Sequence, residues 1–87
     1  MALTLRRIRV DSNEWDVLDN GRAVGRLYQA YTELIWRWSI TEYVDPRSGL
    51  RTSGMTPTFD AAKAAFGDTW DQWRAWATKN GFDSGAG

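Results

Sequence analysis

The chain has 87 residues, with eleven basic and eleven acidic side chains, no cysteine and no histidine. This length fits one small domain, near the size at which a single core is only just sufficient. The lack of cysteine excludes disulfides and thiolate metal sites, and the lack of histidine removes the commonest general base and metal ligand. The balanced charge argues against a dedicated nucleic-acid binder, because such domains are usually strongly basic.

Length and composition predict one domain over residues 1–82, followed by a disordered tail over residues 83–87. Twelve residues are aromatic, six of them tryptophan, and each large aromatic side chain buries roughly 150–250 Å². These side chains therefore supply most of the expected core. We find no signal peptide and no apolar run long enough to span a bilayer, so we expect a cytoplasmic protein without a membrane partner.

The first predicted elements are strands. Residues 3–10 are rich in Leu, Ile and Val, which predicts a strand or an extended arm. Residues 14–18 and 22–28 flank an Asp-Asn-Gly segment at 19–21, which is typical of a β-hairpin. A two-residue turn would mix apolar and charged side chains on both hairpin faces. We therefore predict a three-residue turn with Gly21 in the left-handed conformation and a bulge.

This turn fixes the predicted register of the hairpin. The opposing pairs would be Trp15 with Gly25, Val17 with Ala23, and Glu14 with Arg26. The small Ala23 and Gly25 would leave room for the indole of Trp15 on an apolar face that Leu27 also joins. The pair of Glu14 and Arg26 would lie on the other face as a cross-strand ion pair.

The next predicted strand covers residues 34–43. Its inward side chains would be Leu34, Trp36, Trp38 and Ile40, and its outward side chains Ile35, Arg37, Ser39 and Thr41. Residues 44–57 contain two prolines and two glycines, which predicts a long loop or a loose hairpin. The alternative for this segment is an anion site near a helix N-terminus, with Arg47 and Arg51 nearby in sequence.

A C-terminal helix is predicted with Thr58 as its N-cap. One helical phase holds the apolar residues Phe59, Ala62, Phe66, Trp70, Trp73 and Ala77. Because this phase continues through Gly67, a single helix is favoured over two helices broken there. Asn80 and Gly81 would end it, with Phe82 folded back on the last turn. The predicted fold class is α+β: an antiparallel three- or four-stranded meander with one C-terminal α-helix packed on one face.

The residue types do not favour catalysis. We find no nucleophile–base arrangement, no phosphate loop and no cluster of metal ligands, so we expect no enzyme, no cofactor and no metal site. The candidate binding surface has two parts. On the open face of the sheet it comprises Arg26, Tyr28, Arg37, Ser39 and Thr41, and at the helix edge it comprises Trp76. The alternatives are an ordinary solvated sheet face, and a tryptophan that only caps the core.

One pattern gives a resemblance. It consists of Trp15 and Val17, the run 24–28, then Trp36, Trp38 and Ile40, then Ser53 and Gly54, and finally the run 58–66. It resembles a pattern of small bacterial and phage-borne proteins that have no assigned activity. More distantly, three strands and an alanine-rich helix are similar to AP2-type DNA-binding domains and to the arm-binding domains of phage integrases. That resemblance implies DNA contacts from Arg26, Tyr28 and Arg37.

Two functions follow as hypotheses. The first is a small non-catalytic interaction module that binds a protein partner or forms a homo-oligomer, through an edge strand at residues 3–10 or through Trp76. The alternative is nucleic-acid binding through the Arg and Tyr side chains of the open sheet face.

Overall fold

The computed structural model describes residues 3–8, 13–29 and 34–81. Within these residues it contains five strands, a short 3₁₀ helix and one α-helix. They are β1 (Leu3–Arg7), β2 (Glu14–Asp19), β3 (Arg22–Tyr28), β4 (Trp36–Ile40), the 3₁₀ helix (Pro46–Ser48), β5 (Ser53–Thr56) and α1 (Phe59–Lys79). Residues 9 and 10 of the first predicted strand, Phe82 and the tail 83–87 lie outside the described residues.

The strands form a single antiparallel sheet in the order β1-β2-β3-β4-β5. The α+β class and the meander are confirmed, whereas the predicted three or four strands become five. The additional strand, β5, lies inside the segment 44–57 that was predicted as a long loop or a loose hairpin. Its sequence Ser-Gly-Met-Thr is short, and Met55 is 61% exposed, so no apolar alternation identifies it. Pairing with β4 makes this segment a strand.

The prediction of a three-residue bulged turn is wrong. Asn20 and Gly21 both have positive φ, 55° and 84°, and Asp19 pairs with Arg22, which defines a two-residue turn. The register shift lies further along the hairpin, where Val24 is the extra residue of β3. The hairpin thus has both the two-residue turn and a bulge, which the sequence analysis treated as alternatives, at separate places.

The predicted opposing pairs are therefore wrong as well. Trp15 pairs with Leu27 instead of Gly25, and Arg26 pairs with Asp16 instead of Glu14. These partners differ from the predicted ones by two residues. Because side chains alternate with a period of two, an error of two residues leaves Trp15, Val17 and Leu27 on their predicted face. The bulge changes the face beyond Gly25: Ala23, predicted inward, is exposed, and Val24 is buried in its place.

Strand β4 is shorter than predicted. It begins at Trp36, and Leu34, which was expected to point inward, is 89% exposed. Trp38 and Ile40 are buried as predicted, and Trp36 is half-buried. Leu34 lies before the paired part of the strand, so the alternation of the sheet does not extend to it.

Helix α1 agrees with its prediction in phase and at both ends. The hydroxyl of Thr58 accepts a hydrogen bond from the Ala61 N–H at 3.0 Å. The helix continues through Gly67 and ends before Asn80 and Gly81. Its buried residues are Ala62, Phe66, Trp70, Trp73 and Ala77. Five of the six predicted stripe residues are thus in the core, and Phe59 is half-buried.

One close approach sets where the helix lies on the sheet. A Cβ atom on Gly25 would lie 2.2 Å from the ring of Phe66, so only glycine admits this ring against β3. The space over Gly25 was expected to hold the indole of Trp15. That indole instead packs on Phe59, with ring centroids 5.6 Å apart. The helix consequently lies over β3, β4 and β5.

A polar contact joins the second half of the helix to the sheet. One carboxylate oxygen of Asp19, Oδ2, accepts hydrogen bonds from Trp70 Nε1 and from Arg74 Nη1, each at 2.9 Å. The hairpin end of β2 is therefore tied to the second half of α1. With the helix held over β3 to β5, the inner face of β1 lies beside it and not beneath it.

Candidate functional site

The predicted binding residues of the sheet share one face. Arg26 lies opposite Ser39 and Tyr28 lies opposite Arg37, so these four side chains are neighbours on the face that the helix does not cover. A shallow polar groove of about 400 Å³ runs along this face, lined by Glu14, Arg26, Tyr28, Ser39 and Thr41. Four of the five sequence candidates line it, and Arg37 lies directly beside Tyr28.

Acidic side chains accompany the cations of this face. Asp16 lies between two arginines, 3.0 Å from Arg6 and 3.8 Å from Arg26. Glu14 lines the polar groove itself. Among the described residues, the open face therefore carries both acidic and basic side chains and no basic patch.

Trp76, the remaining sequence candidate, lies on the opposite side of the sheet. It is half-buried, and its indole stacks on Trp73 with centroids 5.6 Å apart and an angle of 20° between the rings. Trp15 and Trp36 are also half-buried. Partial exposure therefore does not single out Trp76, and the structure does not bring it together with the candidates on the open face.

The segment considered as an anion site contains its own ion pair. The guanidinium of Arg47 donates to the Asp45 carboxylate at 2.7 and 3.1 Å, and the Arg47 backbone N–H donates at 2.9 Å. These hydrogen bonds hold the pKa of the Asp45 carboxyl below its ordinary value. The same contact raises the pKa of Arg47. This carboxylate already occupies the place that a bound anion would take at Arg47.

The edge strand that the sequence offered at residues 3–10 lies beside a groove that was not predicted. Beside β1, between the edge of the sheet and the flank of α1, lies a largely apolar groove of about 440 Å³. We call it the edge groove. Its lining residues are Leu3, Thr4, Leu5, Val17, Leu27, Lys63 and Phe66. Sequence alternation places Leu3 and Leu5 on one face, but only the lateral position of the helix leaves that face accessible.

The backbone of β1 presents an edge next to this groove. Among the described strands β1 is the first of the sheet, and only β2 pairs with it. The N–H of Ile8 donates to the carbonyl of Glu14, so the backbone groups of Ile8 point toward β2. In an antiparallel ladder these directions alternate. The N–H and C=O groups of Leu3 and Leu5 therefore point away from β2, while their side chains line the edge groove.

One end of the edge groove is cationic. The guanidinium of Arg7 lies 5.6 Å from the ring centroid of Trp15, and the ammonium of Lys63 lies 5.0 Å from that of Phe59. Because Trp15 packs on Phe59, the two cations flank the same pair of aromatic rings. The ammonium of Lys63 also pairs with Asp60 at 3.1 Å, at a carboxylate that is 88% exposed.

The described part of the chain shows neither a metal site nor a membrane-spanning helix. Over residues 3–8, 13–29 and 34–81, no group of three or more acidic side chains is arranged to hold a metal ion. No helix there combines the length and the apolar character needed to cross a membrane. Comparison with family models, curated proteins and solved structures gave no match for the chain.

Proposed function

We propose that this chain is a small, non-catalytic interaction module that binds an extended segment of a protein, from a partner or from a second copy. The observation that supports this proposal is the edge groove. It places apolar side chains and strand backbone groups that point away from β2 on the same residues, Leu3 and Leu5.

The apolar side chains and the outward-pointing backbone groups of β1 both favour the addition of a strand. A strand beside β1 would bond to outward-facing backbone groups, and its alternate side chains would enter the edge groove. Leu3 and Leu5 are only half-buried, so covering them removes further apolar surface from water at roughly 25 cal/mol per Å². Backbone pairing would supply affinity, and the groove would select the side chains.

The test uses a library of seven-residue peptides selected on the immobilised chain. We expect the selected peptides to shift the backbone amide signals of Leu3 and Leu5 in NMR spectra of the labelled protein. Leu5→Thr keeps a strand-forming residue but removes apolar surface from the groove, so it should weaken binding by about tenfold or more.

The control is Met55→Thr, which makes a similar change on the other edge strand, β5, at an exposed side chain. Its peptide affinity should equal that of the parent chain. Thermal unfolding of both variants verifies that the domain remains folded. Peptides that shift only signals of the open face, or that bind Leu5→Thr with undiminished affinity, would contradict the proposal.

Nucleic-acid binding through the open face is the second candidate. Arg26, Tyr28, Ser39 and Thr41 line one polar groove, and this supports contacts to phosphates and bases. It ranks second because Asp16 and Glu14 lie among the same side chains and would repel a phosphate backbone.

A further inference from the structure

We propose that the edge groove takes an acidic partner strand, one with two alternate apolar side chains followed by a carboxylate, and that the strand comes from another protein and not from a second copy. This inference rests on the proposed function and specifies its partner. It follows from the order of side chains along β1 and from the two cations at one end of the edge groove.

The inward side chains of β1 set the order that a partner must match. Leu3, Leu5 and Arg7 follow one another on the inner face. A strand added beside β1 places its own inward residues next to these three positions. Two of those neighbours are apolar and the third is a cation, so the matching segment has two apolar residues and then an acid.

A second cation, Lys63, strengthens the preference for an acidic residue at this end of the groove. Lys63 is the ionisable side chain among the groove-lining residues, and it lies with Arg7 beside the rings of Trp15 and Phe59. A carboxylate entering at this end meets both cations. The Lys63 ammonium can exchange Asp60 for the partner at little cost, because an ion pair with so exposed a carboxylate contributes little.

The same charges disfavour pairing between two copies. Strand β1 is five residues long and carries Arg6 and Arg7 with no acidic residue. A second copy of β1 therefore offers no carboxylate to Arg7 and Lys63. A parallel pair would set arginine against arginine, which is destabilising, and an antiparallel pair centred on Leu5 would set Leu3 against Arg7. Cationic side chains on an edge strand are a common protection against pairing with an identical chain.

The experiment uses three blocked seven-residue peptides that differ in their terminal side chains. The acidic peptide is Glu-Thr-Val-Thr-Val-Thr-Glu, and the other two carry Gln or Lys in place of both Glu residues. In either strand direction, each peptide presents two alternate valines followed by the side chain that is varied. Binding is followed from the amide signals of Leu3 and Leu5. We expect the acidic peptide to bind about tenfold more tightly than the Gln peptide, because charge-assisted hydrogen bonds are the stronger ones. The Lys peptide should bind weakest.

Charge reversal provides the decisive variant. Arg7→Glu with Lys63→Glu should invert the order, so that the Lys peptide binds best. The matched control, Arg51→Glu with Lys79→Glu, changes the net charge equally at two exposed residues that do not line the groove. It should keep the original order. Sedimentation from micromolar to millimolar concentration should give the mass of one chain.

Three other results would contradict the acidic preference, the identity of the partner or the binding site itself. Equal affinities for the three peptides, with Leu3 and Leu5 shifted, would remove the acidic preference and leave the groove as the binding site. A dimer in sedimentation that Arg6→Glu with Arg7→Glu abolishes would replace the partner with a second copy. If none of the peptides shifts Leu3 or Leu5, both this inference and the proposed function fail.

Discussion

At the scale of single residues, two residues of the β2–β3 hairpin contact the helix in ways that decide its docking. Gly25 admits the Phe66 ring, and Asp19 accepts hydrogen bonds from Trp70 and Arg74. Neither role is visible in the sequence. A glycine inside a strand and an aspartate before a turn are both ordinary features of hairpins.

Asp19 provides the prediction at this scale. Trp70 is 2% exposed, so Asp19→Ala leaves its indole N–H without this acceptor in a buried position. The free energy of unfolding should fall by about 1–3 kcal/mol. Asp19→Asn keeps a side-chain oxygen and should lose less. Urea unfolding followed by tryptophan fluorescence measures both.

Asp68→Ala is the control for the loss of an aspartate. Asp68 is exposed on α1, and its replacement should change stability by no more than about 0.5 kcal/mol. Equal losses for the Asp19 and Asp68 variants would show that the contact to the helix contributes nothing.

At the scale of elements, the helix was the most predictable part of the chain and the fifth strand the least. The sequence indicates the helix through a sustained apolar phase, an N-cap at Thr58, and Asn80 and Gly81 at its C-terminal end. Strand β5 has none of these signals, since its four residues owe their conformation to β4. The hairpin lies between these cases: the face of Trp15, Val17 and Leu27 was predictable, but the turn, the register and the faces of Ala23 and Val24 were not.

Substitution of Gly67 tests whether the helix continues through this position with room for a side chain. A Cβ atom built there meets no heavy atom within 4 Å. Gly67→Ala should therefore raise the free energy of unfolding by about 1 kcal/mol, because glycine in a helix interior is that much less favourable than alanine. Thermal unfolding should show a midpoint higher by about 4–8 °C.

The same substitution at Gly25 should act in the opposite direction. Its Cβ would overlap the ring of Phe66, and overpacking of this kind costs about 1–3 kcal/mol. If both glycine variants moved stability in the same direction, side-chain space would not be the property that separates the two positions.

At the scale of the whole molecule, zero formal net charge bears on the nucleic-acid alternative. If the open face binds nucleic acid, the affinity must fall with salt, because phosphate contacts release counterions. Arg26→Ala with Arg37→Ala should then reduce the slope of log affinity against log salt by about 2 for duplex DNA. A fluorescence titration at several salt concentrations measures this slope.

The control for this test removes the same charge elsewhere. Arg51→Ala with Lys79→Ala takes two cations from exposed positions that do not line the polar groove, and the slope should stay close to that of the parent chain. Affinity that is independent of salt, or equal slopes for the two double variants, would exclude the open face as a nucleic-acid site.

The sequence by itself determined the α+β class, the helix with its ends, and the apolar face of β2 and β4 within their paired residues. These properties are local, because they depend on residue spacing along one element. The strand count, the hairpin register and the edge groove depend on contacts between elements. The groove lies beside the helix because α1 packs over β3 to β5, with the Phe66 ring against Gly25 of β3. Where one packed layer lies on another is set by close approaches between distant residues, so only the tertiary structure decides which apolar surface remains accessible.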